Sequence, residues 1–465
     1  MTQRAPTNRV SSTVRENGAG WTSKIPEQRA AALGEHYRAA LLDDVIPWWA
    51  KHSPDRQQGG FYSCLERDGH AYAGDKFTWM LAREVWMFSH LYNRHRQNPE
   101  WLELAQHGAE FLLRHAFLPE GKLHFRFTRD GKPLASCLSL YSEVFTAIGF
   151  AELSRAANDP AVWQRAVKMY ERILPRLGQP SDTALLGYPL NARFHLHAHD
   201  MVRMTIAWVF NELDPQSVWH DDLTRSVKSI LERHWKPDLG VMLENVGMDG
   251  QPMLDLPEGR MIHPGHAIES AWMLMEIALG PKAAGAPANG NGHQATTAPP
   301  NDALMQTAID IVLQSLERGW DQQYGGLRYV LSIDSSPSHV LEADLKLWWP
   351  HCETLYALLL AWAYTGREDI AQWYEKVHDY TFGNFPDAEF GEWYGYLNRD
   401  GSPVFTAKAT AWKCCFHLPR VLLRCHQLLS RREKSTPGTM QGPHLGTRHE
   451  LLSPLPRGGG EKEYY

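Results

Sequence analysis

The feature that most constrains this chain is a recurring turn. Five short aromatic or aliphatic runs each close on Asp-Gly or its equivalent: GGFYSCLERDGHAY (59–72), KLHFRFTRDGKPL (122–134), GVMLENVGMDGQPM (240–253), GGLRYVLSIDSSP (325–337) and GEWYGYLNRDGSPVF (391–405). Asp-Gly supplies the positive-φ position that a tight hairpin needs, so each run predicts a hairpin. The turns at Asp68, Asp130, Asp249, Asp334 and Asp400 are separated by one, two, one and one steps of roughly 60 to 85 residues, which is repeat behaviour. One copy is missing near 176–189.

Between the hairpins, apolar residues recur three and four apart. This spacing predicts helices over 28–50, 77–95, 99–116, 138–157, 160–175, 190–213, 218–235, 264–280, 302–318, 347–365, 367–384 and 408–431. Twelve helices in helix, hairpin, helix order make six pairs. The expectation is an all-α chain closed as an (α/α)6 barrel, or toroid, with the second helix of each pair inside and the short β-hairpins at one mouth. It occupies residues 21–431 as one domain. The Ala, Gly, Pro and Asn rich stretch 281–301 reads as a flexible insertion, and 1–20 and 432–465 as disordered polar tails.

Composition removes several function classes. A formal net charge of -6 and a pI near 6.4 supply no basic field for nucleic acid or an anionic membrane. There is no apolar run long enough to span a bilayer and no apolar leader in MTQRAPTNRVSSTVRENGAG. The six cysteines show no CxxC spacing and read as reduced thiols, so a soluble cytoplasmic protein is expected. Neither a Walker loop nor a GxGxxG after a strand is present, which argues against a nucleotide cofactor. Vicinal Cys414 and Cys415 read as a buried pair with no redox role.

Polar residues cluster at the predicted starts of the even-numbered helices: Arg83, Glu143, His195 and His197, His266, Glu353 and His417. If those helices form an inner ring, their N-terminal ends meet at one mouth. Pro264, Pro350 and Pro419 suit first helical turns. Helix starts add unpaired N–H groups and positive dipole ends, favourable to a developing oxyanion. Two histidines can hold one neutral base and one imidazolium acid together, a combination suited to moving a proton between the two faces of a carbon. Arg83, always charged, suits the enolate oxygen formed in between. A single histidine at a helix start is more often a cap than a catalyst; convergence of two with Arg and Glu reverses this. Glu269, three residues after His266, shares its helix face and reads as an orienting or substrate-binding group. Glu353 reads either as a site residue or as the structural partner of an arginine. His195 and His199, four apart, invite a metal, but no third ligand follows, so contact from His195 or His197 to a sugar hydroxyl is preferred and no metal is expected. Flat aromatic faces stack on sugar rings, which singles out Trp79, Trp349 and Trp412 beside the polar candidates.

Together GGFYSCLERDG, LAREVWMFSHLYN, LYSEVF, HPGHAIESAW, LKLWWPHCETL, EFGEWYGYLNRDG and WKCCFHLPR resemble the N-acylglucosamine 2-epimerase family, which includes the mammalian renin-binding protein and the cellobiose 2-epimerases. The stretches cover about residues 28–430 in the family's order. The resemblance implies an (α/α)6 barrel and a carbohydrate isomerase that epimerises sugars at C2 through a ring-opened form. It implies that His266 and His417 are the acid/base pair, with Arg83, Glu269 and Glu353 in the site. FHLPR and WWPHCE are similar to the branch that interconverts N-acetylglucosamine and N-acetylmannosamine; HPGH and HLH are more similar to the cellobiose epimerases and mannose isomerases. The resemblance also implies a homodimer, and ATP as an activator that is not consumed. A glycoside hydrolase on a similar toroid, with Glu143, Glu269 or Glu353 as its carboxylates, and a sugar-binding or interaction protein are the readings from other classes.

Overall fold

The computed structural model describes residues 22–136, 140–177, 194–214, 217–280 and 301–430. The expected tails, all of the expected insertion except Asn301, and most of the segment around 176–189 lie outside the described residues. Among the described residues there are twelve helices, besides two single 3-10 turns at Pro237–Leu239 and Glu258–Arg260. Helix α1 runs on through three segments, Glu27–Ala39, a π-helical Ala40–Val45 and Ile46–His52; the others are α2 (Thr78–Arg94), α3 (Pro99–His115), α4 (Leu140–Ala157), α5 (Pro160–Ile173), α6 (His197–Leu213), α7 (Ser217–Ser229, then a π-turn Ile230–His234), α8 (Pro264–Leu279), α9 (Asp302–Gly319), α10 (Trp348–Thr365), α11 (Glu368–Asn384) and α12 (His417–Leu429). None of the described helices is long and apolar enough to cross a membrane.

Burial separates two rings. In α2, 14 of 17 residues are buried, against seven of 17 in α3. A helix buried nearly all round must have neighbours on every side, whereas one apolar stripe needs only one partner layer. The even-numbered helices accordingly pack side by side as α2, α4, α6, α8, α10 and α12, and each odd-numbered helix from α3 to α11 lies against the inner helix before it, with α1 against α12. The ring closes where Phe416, just before α12, meets Trp86 of α2 with ring centroids 5.2 Å apart, and where Gln427 donates to the Arg94 carbonyl at 2.9 Å. The result is an (α/α)6 barrel.

Local sequence explains the two kinds of helix start. Outer helices α3, α5 and α9 begin at Asn98, Asp159 and Asn301, whose side chains accept from N–H groups of the first turn. Inner helices α2, α6 and α10 instead follow directly from two- or three-residue strands and have no side-chain cap. Their first-turn N–H groups are left for other partners at the mouth. The entry strands pair antiparallel with hairpin strands of following repeats: Lys76–Phe77 with His124–Phe127, Phe194–Leu196 with Asn245–Gly247, Met261–Ile262 with Leu331–Ser332, and Lys346–Leu347 with Tyr396–Leu397. Each hairpin thereby holds the start of a neighbouring inner helix.

A charged clasp repeats beneath these hairpins. Asp55, Asp321 and Asp387 each precede a left-handed turn and accept from a buried lysine: Lys76 at 3.0 Å, Lys346 at 3.1 Å and Lys408 at 2.8 Å. Each aspartate also accepts from the arginine of an Arg-Asp or Arg-Asp-Gly turn in the next repeat, Arg129, Arg399 and Arg67 respectively. Because Arg67 belongs to the first hairpin and Asp387 to the last repeat, that copy closes the ring. Buried ions need this degree of pairing. The turns require positive φ, as at Gly59 and Gly60 (+83° and +69°); the last copy puts Glu392 there (+57°), its carboxylate held by Lys413 at 2.5 Å.

Two predicted boundaries move. Helix α12 starts at His417 rather than 408, because residues 408–413 run beside the first hairpin, where Lys408 donates to the Leu65 carbonyl at 2.9 Å, and insert Lys408 and Lys413 into buried carboxylates. Helix α6 starts at His197, since Phe194–Leu196 is a strand.

Candidate active site

The inner helix starts bring His266 and His417 to the same indole, Trp349. Each ring centroid lies 5.4 Å from that of Trp349, at interplanar angles of 36° and 35°. His266 sits in the first turn of α8, which Pro264 opens and His263 caps by accepting the His266 N–H at 3.3 Å; the two imidazoles stack at 3.9 Å. His417 is the first residue of α12, two before Pro419.

A carboxylate fixes each histidine through Nδ1. His266 Nδ1 lies 3.0 and 3.1 Å from the two oxygens of Glu244, and His417 Nδ1 lies 2.7 Å from Glu353 Oε1. A proton on Nδ1 donated to a carboxylate leaves Nε2 as the atom that can exchange a proton with a ligand. Both side chains keep some exposure, 23% for His266 and 11% for His417.

The two differ in what stands behind the carboxylate. Arg420, one turn after His417, places Nη2 2.5 Å from Glu269 Oε1, 2.6 Å from Glu353 Oε1 and 3.3 Å from His417 Nδ1. Glu353 is further held by the Trp272 indole N–H at 2.8 Å. Burial drives His417 well below the usual histidine range; Glu269 opposes this, while the cations Arg420, Arg83 and His266 add to it. Burial also pushes His266 downward, but Glu244 in direct contact and Glu269 nearby outweigh it, so His266 is raised. Glu244 itself is held well below its usual range by His266 and His197 against its burial. The site thus pairs a neutral imidazole with one that favours the imidazolium.

Arg83 completes the cluster. Its guanidinium lies 3.9 Å from the Phe145 ring, 4.6 Å from Trp79 and 4.8 Å from Phe416, and its buried Nε has no protein partner. Burial lowers it to about 10, which keeps it charged at neutral pH. Trp412, 46% exposed, meets Trp79 edge to face at 5.2 Å. Tyr329, raised to about 12 by burial and Glu244, contacts His263 at 4.7 Å between centroids.

Of the residues expected from sequence, His266, His417, Arg83, Glu269, Glu353, Trp79, Trp349 and Trp412 belong to this assembly, and three roles need correction. Glu143 does not enter it: both its oxygens accept from Arg176 at 2.7 and 2.8 Å. Glu269 does not orient His266 but anchors Arg420. His195 and His197 have protein partners: His195 Nε2 is bound to Asp200 at 2.8 Å, and His197, 1% exposed and so closed to a sugar hydroxyl, meets Ser270 at 3.0 Å and faces Glu244 at 3.6 Å. Nor do His195 and His199 share a helix face, since His195 lies in a strand. Both readings of Glu353 hold, as it grips the histidine and the arginine together. Glu244, Arg420, His263 and Tyr329 went unnoticed in the sequence; Arg420 was legible as the residue one helical turn beyond His417, whereas Glu244 lies in a hairpin 22 residues before its partner.

Among the described residues, three groupings present three metal-type ligand atoms within 4.8 Å: Glu269, Glu353 and His417; His195, Asp200 and His234; and, away from this site, Glu375, His378 and Asp379. In the first, the Arg420 guanidinium already bridges the two carboxylates as their cation.

The fold is an (α/α)6 barrel, and the starts of its inner helices hold two carboxylate-bound histidines against one tryptophan. The family model for N-acylglucosamine 2-epimerase (GlcNAc 2-epimerase) matches residues 60–418, and the chain belongs to that family. It is similar to the N-acylglucosamine 2-epimerase of Bos taurus, 34% identical over 412 residues that make up 87% of this chain and 93% of the relative. The cellobiose 2-epimerase of Bacteroides fragilis is 23% identical, covering 85% and 98%. Among solved structures, the cellobiose 2-epimerase of Bacillus thermoamylovorans superimposes with a TM-score of 0.70 over 85% of this chain and 99% of that one, at 18% identity.

Proposed function

We propose that this protein is a sugar 2-epimerase interconverting N-acetyl-D-glucosamine and N-acetyl-D-mannosamine. The observation that carries the chemistry is the pair of carboxylate-held histidines that meet at Trp349, one kept neutral and one favouring its proton. In the ring-opened sugar, C2–H is acidified by the C1 aldehyde. His417 Nε2 takes that proton, and the C–H electron pair moves through C1–C2 onto O1, where Arg83 stabilises the enolate. His266 Nε2–H then protonates C2 on the other face, restoring the C1 carbonyl and inverting C2. The reverse reaction exchanges the two roles.

Acid–base epimerisation consumes no cofactor. The choice of N-acyl sugars rests on the 34% identity to the bovine enzyme, against 23% to the Bacteroides cellobiose epimerase. We place the enzyme in the cytoplasm as a homodimer that ATP activates without being consumed. A hydrolase reading needs two carboxylates free to bracket a glycosidic bond, whereas Glu143, Glu269 and Glu353 are all engaged by arginines.

Incubation with N-acetylmannosamine in heavy water, followed by NMR, tests the reaction: deuterium appears at C2 as N-acetylglucosamine accumulates. His266→Asn and His417→Asn each abolish turnover. Normal turnover in both variants refutes the mechanism, and exclusive turnover of cellobiose, or of mannose to a ketose, refutes the substrate.

A further inference from the structure

Behind His266 lies a second layer of buried polar groups that the reaction above does not use. The π-turn Ile230–His234 that ends α7 brings His234, fully buried, against the hairpin carrying Glu244. His234 grips Leu243 twice: its carbonyl accepts the Leu243 N–H at 3.0 Å, and its Nδ1 meets the Leu243 carbonyl at 2.9 Å. The second contact requires the proton on Nδ1. Nε2 then faces Asp200 Oδ2 at 3.6 Å without a closer partner. Asp200 is fixed by His195 at 2.8 Å and Ser229 at 2.5 Å. Leu243 precedes Glu244, whose N–H donates to the Met261 carbonyl at 3.1 Å and whose carbonyl accepts from the His197 N–H at 2.8 Å.

We propose that His234, on a π-turn whose start Asp200 ties down through Ser229, is a positioning residue for the epimerisation: it locks the Leu243–Glu244 backbone so that the Glu244 carboxylate meets His266 Nδ1. This rests on the acid role assigned to His266. An α-helical end to α7 would shift the register of His234, and π-turns of this kind occur at functional sites. The groups facing His266 are Glu244 from the hairpin, His263 and Glu269 from its own segment, His197 from α6 and His417 from α12. Glu244 is also within electrostatic reach of Tyr141 and Tyr329. His234 touches one of these, the His197 ring, at 5.2 Å between centroids; its hydrogen-bonded route to Glu244 and His266 is the Leu243 backbone.

The test compares His234→Leu, which removes the donor, with His234→Asn, whose amide N–H can stand where Nδ1–H stood. In His234→Leu, kcat falls about tenfold, the scale seen for partners that orient an active imidazole, while KM stays unchanged. Its alkaline limb, set by His266, moves to lower pH, and His234→Asn restores both. The His266 imidazole titration, followed by 15N NMR in the full chain, shifts down in the Leu variant and returns in the Asn variant. That readout is independent of turnover, so it stands or falls separately from the epimerase reading. Asp200→Asn, measured alongside, gives a smaller shift in the same direction and serves if His234→Leu does not fold. An unmoved His266 titration in folded His234→Leu or Asp200→Asn overturns the proposal, as does equal loss in the Leu and Asn variants.

Discussion

Replacing Arg420 with methionine should separate the two histidines' roles. In the native site Nη2 stands 3.3 Å from His417 Nδ1. At an effective dielectric of about 20, a cation that close would oppose protonation of the ring by roughly 5 kcal/mol before the carboxylates are counted. Glu269 and Glu353, 5% and 0% exposed, offset part of it. Arg420→Met removes the opposing charge and leaves both carboxylates facing the histidine, so His417 rises. The sign follows: the base must be neutral to act, so the acid limb of kcat/KM moves to higher pH, and activity lost near pH 6 returns partly at alkaline pH. Removing one partner of a buried ion group also costs about 3–5 kcal/mol of stability. Adding Glu269→Gln removes one unpaired charge, recovers part of that stability and brings the acid limb part of the way back. The assays are a pH series of initial rates, with circular dichroism confirming folding at each pH, and urea denaturation. An acid limb that stays in place in folded Arg420→Met refutes the assignment of Arg420 as a cation that adds to burial in holding His417 neutral.

Three further outcomes follow from the same contacts. Glu244→Gln removes the charge that raises His266, so the alkaline limb of kcat/KM moves to lower pH while the acid limb stays; initial rates across pH measure it, and a stationary alkaline limb contradicts it. Asp55→Ala leaves Lys76 buried without its carboxylate and frees Arg129, costing about 3–5 kcal/mol in urea denaturation. His351 is depressed to about 3 by burial, donating from Nδ1 to the Leu347 carbonyl and accepting the Leu327 N–H at Nε2. Its contribution is therefore present above the ordinary histidine range and lost as pH falls; from pH 6.5 to 4.5 the wild type loses about 2 kcal/mol that His351→Gln does not, and parallel pH slopes in denaturation would contradict this.

What could be read before the structure depended on range. Helix periodicity and Asp-Gly turns are local signals, and they located all twelve helices and the turns between them. The same signals misplaced the start of α12, because Lys408 and Lys413 fit a helical pattern yet are drawn into an extended run by carboxylates of the clasp. Glu143 shares the local setting of the clustered residues, near the start of an inner helix, and the approach of Arg176 from beyond the end of α5 engages it elsewhere.

The repeat, the alternation of inner and outer helices, and the placing of His266 and His417 at helix starts were legible in the chain, since hydrophobic spacing, proline at first turns and turn chemistry are written over a few residues. Which carboxylate meets which histidine came from the packing of distant segments. Glu244 reaches His266 from a hairpin, Glu353 reaches His417 across 64 positions, and Arg420 links two inner helices. The protonation bias of the pair arises from burial and from charges a few ångströms away, and closure of the ring is what makes both quantities exist.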